Sequence, residues 1–521
     1  MRLVVIHYHL RPGGIRRIIE LALPHLVRES PRPVTRVVIA TGRHADRQWH
    51  HDLAKQLPGV PVEVMIEPSF SYLSEQRGSP RRIERRIRAA LGKIFAGAGA
   101  ENCLVWAHNL GVGRNLLLSR ELATACAARD ITLVSHHHDW WFDNRWARWP
   151  EMHAAGFRTL AAPARAVFPE RGKVLHAAIN HADAQILSRH FGKGSVWLPN
   201  LTEPASPSSA AKVRAARRWL KGRTGRDSSP VWLLPCRTLR RKNLAEAMLL
   251  TRWLRPEAWL VVTGSASSSG ERPYLHALER AAQKHHWRLR LGVLAGDESR
   301  KPSVAELLAV SEAVLLTSVQ EGFGLPYLEA AAARRPLIAR RLPNIAPDLD
   351  QFGFCFSQAY DDILIAPGLF DWRAERTRQR QLFRDWRAKM PSLARRLVSA
   401  PVVLAAKCPC PVPFSRLTLT AQLEVLARPA RESWPACLPL NPFLEGWRRR
   451  AAAGQLRVTP WPRSAKGWLG GEAYARRLFA ALAARPNPRG VAFSPVKVQA
   501  DFIKNKLAAH NLHPLLWSTQ T

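Results

Sequence analysis

Short apolar runs separated by stretches of helical periodicity fill the first two thirds of the chain. Leu3 to His7, Arg36 to Ala40, Val60 to Ile66, Cys103 to Ala107 and Ile131 to Ser135 have the length and continuity of strands buried on both faces. Gly14 to Val27 reads as a helix. Arg81 to Phe95 reads as another, with Ile83, Ile87, Leu91 and Ile94 on one face and arginines around the rest. Strand alternating with helix predicts a doubly wound α/β domain over residues 1–200.

The pattern then breaks. Thr202 to Ala211 is rich in Pro, Ser and Ala and reads as a linker, followed by a basic helix around Val213 to Lys221, so that residues 201–228 join two parts. Alternation restarts with Val231 to Leu234, Ala258 to Val262, Arg288 to Val293 and Ala313 to Leu316, which predicts a second α/β domain over 229–360. Two such domains in series imply a cleft. From 361 to 521 the pattern is mainly helical, with Arg373 to Lys389, Leu417 to Ala427, Phe443 to Ala453 and Tyr474 to Ala484 as candidate helices.

One stretch carries chemistry. Ser318 to Arg340 reads SVQEGFGLPYLEAAAARRPLIAR and follows the apolar run Ala313 to Thr317. Pro326 suits a first helical turn, Tyr327 to Ala333 is helix-forming, and Pro336 to Ala339 is the next strand. The loop therefore sits at a strand's C-terminal end, where open α/β sheets bind ligands. Gly322 and Gly324 let a ligand approach the backbone, and the helix start attracts an anion. Glu321 and Glu329, one on the loop and one in the helix, suit hydroxyls: a sugar for Glu321 and a ribose for Glu329. The implied ligand is a sugar joined through a diphosphate to a nucleoside.

Composition changes the picture in two respects. The 521 residues carry 78 Lys and Arg against 40 Asp and Glu, a net charge of +38. Nucleic acid, an anionic membrane surface and arginine-rich compositional bias all account for such a charge. The arginines are spread along the chain rather than gathered in a nucleic-acid module, which disfavours the first. The basic helix Arg81 to Phe95 offers a membrane-surface reading or, with its apolar stripe turned inward, a packed helix. Seven scattered cysteines without metal-ligand spacing suggest a reducing, cytoplasmic setting. No apolar run approaches bilayer length, and Met1 to Ile6 reads as a first strand rather than a signal peptide.

Three further motifs follow strands. Gly13 and Gly14 come after the first one, as a ligand loop or as plain turn chemistry. Cys236-Arg237-Thr238-Leu239-Arg240-Arg241-Lys242-Asn243 follows the first strand of the second domain and offers cations for a diphosphate. His136, His137, His138 and Asp139 end the strand beginning at Ile131. Alternation of side chains sends only some of these histidines toward a ligand, and no partner ligands for a metal stand out.

Taken together, these motifs resemble family 4 of the glycosyltransferases, retaining enzymes of the GT-B fold with two Rossmann-like domains. Glu321-Gly322-Phe323-Gly324-Leu325-Pro326-Tyr327-Leu328-Glu329 matches that family's glutamate–seven residues–glutamate motif. Arg237 and Lys242 stand at its Arg/Lys spacing, with Cys236 in place of a common glycine. Gly13-Gly14 matches its N-terminal glycine loop, with Arg16 where a glutamate is frequent. Leu198-Pro199-Asn200 and Thr263-Gly264-Ser265 resemble its crossover and its second-strand turn. The resemblance covers roughly residues 1–360 and implies donor contacts from Gly13, Gly14, Arg237, Lys242, Gly264, Gly322, Phe323, Gly324, Leu325 and Glu329. It implies catalytic roles for Glu321 and for a histidine, His138 being favoured over His136 and His137 because His138-Asp139 matches the family's His-Asp form. The implied donor is a nucleotide-sugar, used without a metal; the acceptor is open. A nucleotide-sugar epimerase of similar fold is the alternative. Asp139, Asp143, Asp361 and Asp362 read as solvated or capping residues.

Overall fold

The computed structural model describes residues 1–11, 13–43, 46–202, 204, 208–225, 229–266, 268–296, 301–485 and 493–517. The Pro- and Ser-rich linker lies partly outside these residues. The chain divides into two compact units.

The first unit is built on a parallel sheet of seven strands: β1 (Arg2–His7), β2 (Arg36–Thr41), β3 (Val62–Ile66), β4 (Cys103–His108), β5 (Thr132–His137), β6 (Val174–Ala178) and β7 (Ser195–Trp197). Their order is β3-β2-β1-β4-β5-β6-β7, with the switch in direction beside β1. β1, β4 and β5 are almost wholly buried, as their unbroken apolar runs require. The expected helix Gly14–Arg28 packs Ile18, Ile19, Leu23 and Leu26 inward. In the helix Pro80–Ile94, Ile83, Ile87, Leu91 and Ile94 are all buried, while Arg81, Arg82, Arg85, Arg86 and Arg88 are exposed. That apolar stripe is core, which removes the membrane-inserting reading of this helix.

The second unit carries a parallel sheet of six strands: β8 (Val231–Arg237), β9 (Trp259–Gly264), β10 (Leu289–Arg290), β11 (Ala313–Leu316), β12 (Leu337–Arg340) and β13 (Gln358–Tyr360), in the order β10-β9-β8-β11-β12-β13. β10 is shorter than expected because Gly292, at φ +62°, turns the chain. Beneath this sheet Glu246, on the helix Leu244–Leu254, accepts two 2.6 Å bonds from Arg340 and one from the Tyr360 hydroxyl. Arg340 also donates to Asp362 at 2.5 Å, so Asp362 is an ion-pair partner rather than a solvated residue.

The C-terminal stretch is helical, as expected, and is shared between the units: 389–397 and 464–506 join the first, 398–463 and 507–517 the second. The helix Gly471–Ala484 buries Tyr474, Ala475 and Leu478 against the first sheet's core. A β-carbon on Gly471 would stand 2.0 Å from the His25 ring, so only glycine allows this approach. The helix Pro495–Lys506 ends on Lys506, whose ammonium lies 3.0 Å from Asp183 and 3.3 Å from Asp143. Asp143, expected to be solvated or capping, is buried in this pair and also caps the Trp140 amide at 2.8 Å.

Candidate functional site

In the second unit, the site residues gather at the C-terminal ends of three adjacent strands. Arg237 ends β8, Gly264 ends β9 directly beside it, and Glu321 lies on the loop after β11. A β-carbon on Gly264 would come within 2.9 Å of the Arg237 side chain, so glycine leaves that arginine its path outward, where it is exposed. The turns after β8 and β11 are tied together. The Thr317 hydroxyl donates to the carbonyls of Lys242 and Asn243, each at 3.0 Å, and the Val319 amide to the Arg241 carbonyl at 2.8 Å. Asn243 takes the left-handed conformation that this turn demands, at φ 46°.

Glu321 sits at the centre of this frame. Its carboxylate accepts from Lys242 Nζ, from Arg241 at 2.6 Å and from the Ser318 hydroxyl at 2.7 Å, while Asn344 donates to its carbonyl at 2.9 Å. Burial alone would push this carboxyl up; Arg241, Lys242 and the Lys242 and Ser318 hydrogen bonds outweigh it and hold it at about 2. Lys242 is buried at 6% exposure, so its charge is aimed rather than solvated. Arg241 and Lys242 thus bring two cations to one carboxylate, and Arg237, exposed at the end of β8, adds a third positive charge on the same strand and turn.

The helix Leu325–Ala332 begins at Gly324, whose φ of +81° and 2.9 Å clearance to Tyr327 both require glycine. Phe323 points inward against Phe352, so this position presents backbone. Leu325 is half-buried at the helix start. Glu329 is exposed and lies in the helix's second turn.

In the first unit, Gly13 and Gly14 follow β1 and are exposed, with nothing within 4 Å of a β-carbon on Gly14. The histidines separate as alternation requires. His108 and His136 are register partners on β4 and β5, and His138, two residues on, shares their face. His137 turns to the other face, 3.2 Å from His176. His108 Nδ1 lies 3.0 Å from His138 Nε2, and the Tyr474 hydroxyl lies 3.4 Å from His136. Burial pushes all of these imidazoles well below their usual range, so they are neutral. His108, His136 and His138 offer ring nitrogens within 4.8 Å of one another, a set able to hold a transition metal. Asp139 pairs with Arg145 at 2.9 Å, and its amide and that of His138 both donate to the Asn109 side chain.

Arg241 and Ser318 lie within the cationic and glycine-loop motifs, but nothing in the sequence distinguishes them from their neighbours. His108 lies one residue beyond the expected strand Cys103 to Ala107 and ends β4, yet nothing in its local sequence marks it. A groove of about 450 Å³, lined by Trp259, Trp287, His286 and Arg290, opens at the start of β9, the opposite edge of the sheet from Glu321. It takes no part in this site.

Residues 225–350 match the family description Glycosyl transferases group 1. The match spans β8 to β12 and the whole Glu321 frame. Over that span the chain is similar to the group 1 glycosyl transferases. It is 27% identical over 353 residues to mannosylglucosyl-3-phosphoglycerate synthase of Petrotoga mobilis, a match covering 66% of this chain and 65% of that one. The chain thus spans just under two thirds of that curated relative's length. Among solved structures, the lipopolysaccharide outer core galactosyltransferase WaaB shares the fold at a TM-score of 0.50 and 12% identity, over 93% of this chain and 100% of the other. Sucrose-phosphate synthase of Thermosynechococcus elongatus aligns at a TM-score of 0.49 and 14% identity, over 92% and 99%. Among the described residues, no helix is long and apolar enough to cross a membrane. All seven of the chain's cysteines are free.

Proposed function

We propose that the protein is a retaining glycosyltransferase that moves a sugar from a nucleoside-diphosphate sugar to an acceptor hydroxyl. The observation that carries this reading is the Glu321 carboxylate, kept ionised by Lys242 and Arg241 on the loop after β11, next to the strand that Arg237 ends. When the bond from the anomeric carbon to the diphosphate oxygen breaks, its electron pair stays on that oxygen. Arg237 and Lys242 meet this charge without reorganising, and each such donor is worth about 100- to 1,000-fold in rate. Glu321 faces the positive charge growing on the sugar ring. Glu329 accepts from the ribose hydroxyls, and the backbone of Gly322 to Leu325 holds phosphate oxygens. His138, being neutral, orients a sugar hydroxyl as donor or acceptor. The cationic clamp does the work that a divalent metal does elsewhere.

In this reading residues 1–200 serve the acceptor and 229–360 the donor, and the enzyme works in the cytoplasm. Contact with an anionic membrane surface is electrostatic, through exposed arginines such as Arg81 and Arg85. A panel of UDP-, GDP- and ADP-sugars scored by thermal shift tests the donor; no stabilisation by any of them refutes the reading. An epimerase would consume the donor with no acceptor present, which product analysis separates from transfer.

A further inference from the structure

The loops at the C-terminal edge of the first sheet collect arginines that the donor chemistry does not use. Arg11 follows β1, Arg43 follows β2, Arg114 follows β4, and Arg145 and Arg148 follow β5. Glu75 lies 3.0 Å from both Arg11 and Arg43, and Asp139 takes Arg145. Arg114 and Arg148 have no ion-pair partner among the described residues. The Arg114 guanidinium lies 5.0 Å from the Tyr72 ring centroid, and the Tyr72 hydroxyl is 3.0 Å from His9 Nε2. Arg148 donates to the Val112 carbonyl at 2.5 Å, which fixes its direction, and only the more distant Asp139, already paired with Arg145, offsets its charge.

This arrangement is costly as it stands. Both guanidiniums are half-buried, and burial first, then Arg145 and Arg114, pull Arg148 well below the usual arginine range. Unmatched charges brought together out of water destabilise a fold unless something of opposite sign joins them. A guanidinium fork matches a carboxylate or phosphoryl group in shape as well as sign. The turn Asn109–Gly113, which precedes Arg114 and carries Val112, also holds the His138 and Asp139 amides through the Asn109 side chain. One turn therefore serves both His138 and the unpaired arginines.

We propose that Arg114 and Arg148, beside Tyr72, hold an anionic group of the acceptor, a phosphoryl or a carboxylate. This rests on the glycosyltransferase reading and names the substrate class of its acceptor side. The anion belongs either to a water-soluble phosphorylated or acidic acceptor or to a lipid headgroup, and both present the same chemistry to the two arginines.

The test is calorimetric titration of the full chain, saturated with whichever nucleoside diphosphate stabilises it most, using glycerol 3-phosphate against glycerol. Flotation with phosphatidylglycerol and phosphatidylcholine vesicles runs alongside. Arg114→Gln and Arg148→Gln are each expected to weaken the anionic probe by about tenfold or more, the scale of one charge-assisted hydrogen bond, with nucleoside diphosphate binding unchanged. Loss of glycerol 3-phosphate binding identifies a soluble acceptor. Arginine-dependent binding to phosphatidylglycerol vesicles alone identifies a lipid. Binding of neither probe, or binding indifferent to both substitutions, overturns the proposal. Arg114→Gln, on the Tyr72 surface, carries the test if Arg148→Gln fails to fold. Failure of every nucleoside diphosphate to bind refutes the donor reading instead, through Lys242 and Arg237.

Discussion

Arg241 reaches across from the turn after β8 to donate to Glu321 at 2.6 Å, and with Lys242 it holds that carboxylate between two cations. The pairing adds to the bonds that tie the turn after β8 to the loop after β11. Under the proposed function it also separates the roles of the charges: Arg237, which is exposed, would meet the donor, Lys242 would be shared, and Arg241 would be a positioning residue acting through Glu321.

Removing the shared cation should cost most. Lys242→Ala is expected to lower kcat/KM by about 100- to 1,000-fold, because it removes a preorganised donor and half-unpairs a buried carboxylate. Arg241→Ala should lower kcat less and leave nucleoside diphosphate affinity within about threefold of wild type. Steady-state kinetics with the preferred donor, beside calorimetry with its nucleoside diphosphate, checks both.

Glu321→Gln keeps the shape and removes the charge. Turnover should fall by at least about tenfold while nucleotide affinity holds or rises, since the neighbouring cations are freed for the diphosphate. Equal kcat in the variant would show that the negative charge plays no part in the chemistry.

Beneath the site, Arg340 and Glu246 form a fully buried pair. Arg340→Ala should destabilise the protein by about 3–5 kcal/mol, the cost of leaving a buried partner unmatched. Replacing both, with Arg340→Met and Glu246→Leu, should recover much of that loss. Denaturant unfolding of the two variants measures the difference.

Acid should loosen the first unit before the second site loses its charge. His7, His136 and His176 are pushed down by burial to about 3 from 6.5. Unfolded chains therefore bind more protons than folded ones between those values, and stability falls as pH drops from about 6.5 toward 3, each histidine contributing up to about 1.4 kcal/mol per pH unit. Glu321 has the opposite protonation chemistry but the same direction. Its contribution is whole above 4.5 and disappears as pH falls through about 2. Tm measured from pH 8 to pH 4 should decline most below 6.5, and less steeply when His176 is replaced by Phe.

Metal removal provides a separate check on the clamp. Turnover should survive dialysis against EDTA, because Arg237 and Lys242 meet the leaving charge. Loss of activity restored by zinc alone would point to His108, His136 and His138 as working ligands.

Most inner strands were legible because each is a continuous apolar run buried on both faces, whereas the expected edge strand β3 has no fully buried residue and β6 was not marked. The Glu321 loop was legible because its glycines, its proline and the flanking strand agree on one geometry. Arg241 was not, since three adjacent cations give no sign of which one turns inward; only the register of two distant loops decides it. Arg114, Arg148 and Tyr72 come together from three crossovers, and His108 meets His138 through strand pairing. The fate of the C-terminal third was equally hidden. Tyr474 touching His136 and Lys506 touching Asp183 are contacts across more than 300 residues, which no local periodicity encodes.

That last contact sets a timetable for biosynthesis. The ribosome makes Asp143 and Asp183 long before Lys506, and domains ordinarily fold as they emerge. Here the earliest sheet must wait, its Asp143 and Asp183 pair and its Trp140 ring unsealed, until the helix carrying Phe502 and Lys506 has been made. A nascent chain stalled anywhere before residue 495 should be a client for chaperones, however complete its Rossmann core.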